Sequence, residues 1–101
     1  MSDQQASATV LLTHAVGLHA RPSVKLTKLA KTFGSTIELG LSAEGPWIDA
    51  KSIVKVMAAK VPQGTELHIR AAGTDADDAV AALIGLVERD FDEAGADAPG
   101  G

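Results

Sequence analysis

Residues 65–71 read Thr-Glu-Leu-His-Ile-Arg-Ala, an alternation of polar and apolar side chains. A repeat of two residues is the period of a β-strand, so Leu67, Ile69 and Ala71 are expected to share one face. Strands that are apolar on one face and polar on the other are typical of antiparallel sheets with one face in water. This stretch therefore predicts an antiparallel sheet that other elements cover on one side only.

Three more segments are predicted as strands: 9–13, 36–41 and 47–49. The inward-facing apolar residues of the two longer ones are Val10, Leu12, Ile37, Leu39 and Leu41. The sequence Glu44-Gly45-Pro46 has the residue types of a turn and separates the last two of these strands. The chain thus offers four strands for the sheet.

Helical periodicity predicts three helices: 20–33, 52–59 and 75–93. In the first, Pro22 falls in the opening turn, where its missing N–H has no helical partner, and Gly34 is expected as the C-terminal cap. Ser52 is a candidate N-cap of the second helix. Residues 74–77 (Thr-Asp-Ala-Asp) resemble a capping box that opens the third. The apolar stripe of the third helix comprises Val80, Leu83, Ile84, Val87 and Phe91.

The resulting element order, βαββαβα, predicts an α+β domain in two layers. It is an open-faced sandwich in which three helices cover one face of a four-stranded antiparallel sheet. A chain of 101 residues fits one compact domain and leaves no room for a second. We expect the domain to span residues 9–94, with flexible segments at residues 1–8 and 95–101.

Composition excludes several classes of protein. The chain has no cysteine, which rules out disulfides and thiolate metal sites. Its start lacks the apolar stretch of a secretory signal, and no apolar run approaches the roughly 20 residues of a membrane span. The basic part of the chain lacks the aromatic platforms of nucleic-acid-binding modules. We therefore expect a soluble, monomeric, cytoplasmic protein that binds neither membranes nor nucleic acids.

Charge is divided unevenly along the chain, whose net charge is −4. Residues 21–60 carry seven basic and three acidic side chains, whereas the remainder carries two basic and ten acidic ones. The pattern fits a positive face for an anionic partner, and it also fits an uneven distribution that arose by chance. Charge alone does not distinguish these interpretations.

The sequence Gly17-Leu18-His19-Ala20-Arg21-Pro22 places a histidine between a glycine loop and the N-terminus of a predicted helix. Backbone N–H groups and the positive end of the helix dipole favour anions at such a position. Arg21 adds a guanidinium that binds pairs of phosphate oxygens, and a neutral imidazole is a capable nucleophile. The pattern favours a histidine that becomes phosphorylated over a loop histidine that merely caps the helix.

Residues 17–22 resemble the phosphorylation-site signature of the HPr family, the histidine-containing phosphocarriers of the phosphoenolpyruvate-dependent phosphotransferase system. Residues 50–56 (Ala-Lys-Ser-Ile-Val-Lys-Val) and 63–65 (Gln-Gly-Thr) are similar to further segments of that family. The resemblance extends over about residues 9–91 and implies the strand order 1-4-2-3. Many family members have Asn where this chain has Val16, so the orientation of the imidazole must come from elsewhere or be absent.

The resemblance implies a carrier with a covalent phosphohistidine intermediate rather than an enzyme. His19 would accept a phosphoryl group on Nδ1 (the pros nitrogen) from enzyme I and donate it to an enzyme IIA-type domain. Arg21 would neutralise the group in transit, and first-turn backbone at Ala20 would hold its oxygens. Gly17 and Pro22 would shape the turn. No metal or organic cofactor is implied.

The same resemblance implies a surface on which these partners dock, formed by an apolar patch with lysines at its rim. Its residues are Val24, Lys28, Ile53, Val54, Lys55 and Met57. The alternative is that the apolar members belong to the core, and Ile53 or Met57 is the expected exposed one. Ser52 matches a position that a dedicated kinase phosphorylates in some bacterial relatives, and the simpler interpretation of Ser52 is a helix N-cap.

Other functions fit the same residues. One is a regulatory paralogue that docks on a sensor or transcription factor, with phosphorylation as the signal. Another is an HPr-like domain of a multiphosphoryl protein, such as the phosphotransfer subunit of a dihydroxyacetone kinase. An intact His19 and Arg21 do not distinguish these from a carrier. Stand-alone acid–base catalysis by His19 lacks a second catalytic group.

Overall fold

The computed structural model describes residues 4–13 and 17–92, which form a four-stranded sheet and three α-helices. The strands are β1 (Gln4–Leu11), β2 (Thr36–Gly40), β3 (Trp47–Asp49) and β4 (Glu66–Gly73). The helices are α1 (Ala20–Ala30), α2 (Ile53–Ala58) and α3 (Ala76–Glu88). A tight turn, Asp90–Asp92, follows α3. The predicted α+β class and the order βαββαβα are confirmed.

The sheet is antiparallel throughout and has the strand order β1-β4-β2-β3. At its centre His68 of β4 lies opposite Thr9 of β1 on one side and Gly40 of β2 on the other. Leu67, Ile69 and Ala71 are buried, as their alternation predicts. The polar residues between them face the uncovered side of the sheet, so the strand periodicity sets which face the helices cover.

Helix α3 packs across β1, β4 and β2, and α1 packs against both α2 and α3. The largest side chains that are fully buried between these layers are Leu12, Leu26, Ile37, Leu39, Val56, Val61, Leu67, Ile69, Leu83, Val87 and Phe91. Each such side chain contributes roughly 1.5–3 kcal/mol on burial, which makes this aliphatic core the main source of stability. Leu26 and Ala30 anchor α1 in this core, beside α2 and α3, and α1 begins at the candidate site.

The first strand begins earlier than predicted. Residues 4–8 pair with β4, from Gln4 opposite Gly73 to Ala8 opposite Ile69, so the expectation of a flexible segment over residues 1–8 is wrong for residues 4–8. Ala6 and Ala8 continue the inward set of Val10 and pack against the core, but alanine side chains are too small to give a strong apolar alternation. The pairing itself uses backbone N–H and C=O groups, which leave no signal in the sequence. Residues 1–3 lie outside the described residues, as does the predicted tail 95–101.

The ends of α1 and β2 also differ from the prediction. Helix α1 ends at Ala30, because the Thr32 and Phe33 N–H groups bond carbonyls three residues back (3.0 and 3.2 Å) and tighten the last turn. Gly34 is therefore not the C-cap, and its N–H donates instead to the Asp75 carboxylate (3.0 Å). Leu41, expected inside, is exposed because β2 stops one residue before it.

Phe91 is buried in the core, but it lies in the turn that follows α3 and not, as the periodicity predicted, on the helix itself. The helix stops at Glu88, and Asp90 and Phe91 then adopt left-handed conformations with φ of 57° and 58°. The turn directs the Phe91 ring inward, where it is fully buried. Its carbonyl oxygen accepts a hydrogen bond from Lys25 Nζ (2.9 Å), which ties this turn to α1.

The predicted capping box at residues 74–77 is not formed. Asp75 is the N-cap residue of α3, but its side chain makes no capping hydrogen bond. Its carboxylate instead accepts hydrogen bonds from the Gly34 N–H, the Ser35 N–H and the Ser35 hydroxyl. The Ser35 hydroxyl, followed by the Gly34 and Ser35 N–H groups, holds the pKa of Asp75 below its ordinary value. The carboxylate thus joins the α1–β2 turn to the start of α3.

We predict that Asp75→Asn lowers the melting temperature by several degrees near neutral pH, because the amide is a weaker acceptor for these three donors. A lowered pKa in the folded state means that the stabilisation is complete above the unfolded carboxyl pKa of about 3.9 and is lost as the pH falls through the folded value. Thermal unfolding of both proteins near neutral pH and near about pH 3 should therefore show the difference shrinking in acid.

The control is Asp78→Asn, which removes a charge from the first turn of α3 at an exposed position. Asp78 makes no hydrogen bond to the α1–β2 turn among the described contacts. Asp78→Asn is therefore expected to lower the melting temperature less than Asp75→Asn does. Equal losses for the two variants at each pH would contradict the role assigned to Asp75.

Candidate functional site

His19 occupies the N-cap position of α1 with an extended backbone (φ −85°, ψ −163°). Its side chain is exposed and makes no capping hydrogen bond, so the alternative of a capping histidine does not hold. The imidazole therefore lies at the N-terminus of α1 without capping the helix. This is the arrangement that a histidine reached by other molecules requires.

The mouth of α1 is suited to an anion. Intrahelical bonding begins with the Ser23 N–H, which donates to the His19 carbonyl (2.9 Å). The N–H groups of a first turn point out of the helix end, where the dipole is positive. No acidic residue lies in this turn, and Arg21 is exposed within it. Pro22 is buried and supplies no N–H, consistent with its predicted place in the opening turn.

The loop before His19 rests on the segment that follows α2. The Leu18 N–H donates to the Val61 carbonyl (2.9 Å), and the Leu18 side chain is buried. Gly17 has a φ of +66°, and a Cβ at this position would overlap the Val61 carbonyl oxygen. Gly17 is therefore needed both for its left-handed backbone and for this close approach.

The Gln63-Gly64-Thr65 segment holds the chain as it leaves β1. The Leu12 carbonyl accepts from the Gly64 N–H (2.7 Å), and the Leu12 N–H donates to the Thr65 carbonyl (2.9 Å). Gln63 Nε2 donates to the Thr13 carbonyl (3.1 Å). The residues on both sides of the site loop are thus fixed by one segment, residues 61–65. Val16 lies in the part of the loop that the structure does not describe.

An exposed apolar patch lies on α1 and α2, which pack against each other. Val54 is 73% exposed, Val24 41% and Met57 40%, so these three are surface residues rather than core residues. Of the pair Ile53 and Met57, Met57 is the exposed one and Ile53 is half-buried, so the expectation that one of the two is exposed is confirmed. Lys28 and Lys55, the predicted rim, are exposed on the same two helices.

Ser52 is the N-cap of α2, as predicted. Its backbone is extended, and its hydroxyl accepts a hydrogen bond from the Lys55 N–H (3.3 Å). A cap of this kind stabilises a helix by about 1 kcal/mol, which matters for a helix of six residues. The hydroxyl is only partly buried, at the end of the helix that carries Val54 and Met57.

Comparison with known proteins identifies the family. The family model described as the PTS HPr component phosphorylation site matches residues 6–89. The chain belongs to the HPr family. The phosphocarrier protein NPr of Proteus mirabilis is 38% identical to this HPr-family chain over 83% of it and 92% of the relative. The phosphocarrier protein HPr of Mycoplasma capricolum is 42% identical over 77% of this chain and 85% of the relative.

Solved structures agree with this membership. HPr-C-His from Thermoanaerobacter tengcongensis superposes with a TM-score of 0.79 at 32% identity, covering 85% of this chain and 94% of that one. The mycoplasma histidine-containing phosphocarrier protein superposes with a TM-score of 0.73 at 40% identity and the same coverage. The predicted HPr fold and strand order are therefore confirmed.

Membership of the HPr family makes this chain a phosphocarrier of the phosphotransferase system. Proteins of this kind carry phosphate and are not themselves enzymes.

Within residues 4–13 and 17–92, no three acidic or histidine side chains are grouped so that they could hold a metal ion. None of the helices in these ranges has the length and apolar character needed to cross a bilayer.

Two supports of the HPr site, Val61 and Ser23, are not among the site residues that the sequence predicts. Val61 contributes only its carbonyl oxygen, which every residue type has, so no sequence signal identifies it. Ser23 is fully buried in α1 and donates to the Leu18 carbonyl (3.1 Å). A serine directly after a proline in a helical first turn is a signal that could have drawn attention to Ser23.

We predict that Gly17→Ala destabilises the protein more than Gly64→Ala does. Both glycines have positive φ, +66° and +91°, so both substitutions cost backbone strain of about 1–2 kcal/mol. At Gly64 a Cβ would meet open space, whereas at Gly17 it would overlap the Val61 carbonyl and break the Leu18–Val61 contact. Urea denaturation should give a larger drop in the free energy of unfolding for Gly17→Ala. Equal drops would mean that the loop does not depend on this approach.

Proposed function

We propose that His19 carries the phosphoryl group, accepting it from enzyme I and passing it to an enzyme IIA-type domain in the cytoplasm. The observation that carries the proposal is the placement of His19 at the N-terminus of α1, exposed and not engaged in capping. A phosphocarrier needs a nucleophile that two different proteins reach in turn. His68, the other histidine among the described residues, lies half-buried on the uncovered face of the sheet.

The transfer consists of one bond exchange. The lone pair of His19 Nδ1 attacks the phosphorus of the phosphohistidine on enzyme I, and the N–P bond to the donor breaks as the new one forms. The same exchange then runs from His19 to the acceptor. The group arrives with negative charge on its oxygens, and the helix N-terminus offers N–H donors and a positive potential. No metal or organic cofactor takes part in these steps.

Arg21 supports the transfer by its charge and its position. Its guanidinium belongs to the first turn of α1, two residues after His19, and is exposed. A planar guanidinium binds two phosphate oxygens at once and stays charged at every relevant pH. Because the site is at the surface, water screens this attraction, and the phosphoryl group is not held too tightly to leave.

Partners dock on the apolar patch formed by Val24, Val54 and Met57, with Ile53 at its base. Exposed apolar residues on two adjacent helices give a surface that loses water on association. Lys28 and Lys55 at its rim attract acidic partners and speed their association. One surface next to His19 serves the donor and the acceptor in turn.

Phosphorylation of Ser52 by a kinase would regulate this docking. The hydroxyl is partly exposed at the start of α2, the helix that carries Val54 and Met57. A phosphate there adds about two negative charges beside a surface whose partners are acidic, which weakens their binding. The capping role of Ser52 is independent of this regulation.

We predict that enzyme I and labelled phosphoenolpyruvate produce an acid-labile phosphoprotein from the wild type and not from His19→Ala. Without the imidazole there is no atom at the helix mouth to form the N–P bond. His68→Ala is the control and should be labelled like the wild type, because His68 lies on the uncovered face of the sheet. Labelling of His19→Ala at the wild-type level would remove His19 from the mechanism.

We predict that Met57→Glu raises the KM for enzyme I about tenfold or more while the protein stays folded, because a carboxylate in the patch costs desolvation and repels acidic partners. Met57 is 40% exposed, so the change should leave the core intact. Leu11→Glu is the matched control: Leu11 is 55% exposed at the end of β1, away from α1 and α2. Equal KM values for the two variants would exclude the patch as the docking surface.

A further inference from the structure

A buried hydroxyl lies directly behind the phosphorylation site. Ser23, in the first turn of α1, has no exposed surface, and its Oγ donates a hydrogen bond to the Leu18 carbonyl (3.1 Å). Its N–H donates to the His19 carbonyl (2.9 Å). Ser23 is therefore bonded to the two residues that form the junction between the site loop and the helix. The transfer chemistry described above makes no use of this hydroxyl.

The Ser23 hydroxyl supplies the hydrogen bond that the Leu18 carbonyl needs. The Leu18 N–H is bonded to the Val61 carbonyl, and its side chain is buried, but its carbonyl needs a donor as well. Pro22, four residues later, has no N–H to give. The Ser23 hydroxyl supplies that donor from inside the protein.

We propose that Ser23 is a positioning residue for phosphoryl transfer at His19, an inference that rests on the function proposed above. The Leu18 carbonyl and the His19 N–H belong to one planar trans peptide, so they point in opposite directions. Because Ser23 holds the carbonyl toward the interior, the His19 N–H points outward. The same plane contains the His19 Cα, and together with the φ of −85° it sets where the Cβ lies and hence the arc on which the imidazole moves.

The positioning of the His19 ring by Ser23 affects the transfer step rather than partner binding. The imidazole Nδ1 must approach the phosphorus in line with the bond that breaks, and small misplacements of a nucleophile reduce rates strongly. If the peptide between Leu18 and His19 rotates, the ring moves with it, while the exposed patch on α1 and α2 keeps its shape. Loss of the Ser23 hydroxyl should therefore lower the rate constant of transfer and leave the KM for enzyme I unchanged.

Helix α1 contains a matched residue for comparison. Thr27 is also buried (3% exposed), but its hydroxyl oxygen has no hydrogen-bond partner within the described part of the chain. Thr27→Val removes a buried hydroxyl at nearly constant volume without disturbing a known contact. Ser23→Ala removes one that is bonded to the loop. Comparison of Ser23→Ala with Thr27→Val therefore separates the effect of losing a buried hydroxyl from the effect of losing the hydrogen bond to Leu18.

The experiment measures phosphorylation of the full chain by enzyme I and phosphoenolpyruvate in wild type, Ser23→Ala, Ser23→Cys and Thr27→Val, with thermal unfolding of each. Ser23→Ala should lower kcat about three- to tenfold at an unchanged KM, and Thr27→Val should match the wild type. In amide NMR spectra the His19 resonance should shift in Ser23→Ala and stay in place in Thr27→Val. Ser23→Cys replaces the hydroxyl by a much weaker donor, so a smaller fall in kcat and a smaller shift of the His19 amide are expected, and it replaces Ser23→Ala in the comparison if Ser23→Ala does not fold.

Two results would overturn the proposal. A folded Ser23→Ala, or in its place Ser23→Cys, with wild-type kcat and an unmoved His19 amide would reduce Ser23 to a stabilising residue. A rise in KM at constant kcat would assign it to partner binding instead. Either leaves the function proposed above intact, because the wild type is still labelled on His19. An unlabelled wild type would instead remove that function, and the role of Ser23 with it.

Discussion

The hydrogen bond from the Leu18 N–H to the Val61 carbonyl is the contact on which the site depends. It joins the loop before α1 to the segment between α2 and β4, so the start of α1 is held by the chain that leads into the central strand β4. The contact requires a residue without a side chain at position 17, because a Cβ there would overlap the same carbonyl. A flexible loop at this point would let the imidazole sample many positions, and in-line transfer tolerates few.

The position of His19 reconciles two demands on a carrier. It must stabilise a charged group long enough to move it, and it must release that group to the next protein. A helix N-terminus and one arginine supply positive potential, and the exposure of the site to water weakens it. A deeper pocket would bind the phosphoryl group more strongly and would also exclude the partners. An open site on the surface therefore favours transfer in both directions over storage.

Features with a side-chain signal could be predicted from the sequence. The alternation in β4 gave the buried face because each apolar residue falls on every second position, and the local sequence from Gly17 to Pro22 located the helix mouth. Features that depend on backbone atoms or on distant residues could not. Residues 4–8 join the sheet through their backbone, and Gly34 donates to Asp75, a residue 41 positions away, instead of ending α1. The exposure of Val54 depends on how α2 rests on α1, which periodicity over six residues does not determine.

The contacts that position His19 differ in kind from those that attract phosphate. In the proposed transfer, Arg21 and the helix dipole would act on the group itself, so strengthening them would raise affinity and slow release. The bonds to Val61 and Ser23 are neutral and occupy the backbone N–H and C=O of the buried Leu18. Such contacts favour the geometry of transfer without adding attraction for the group that is transferred. If His19 is the carrier residue, rigidity of the backbone would raise the rate at this exposed site while the phosphoryl group remains easy to release.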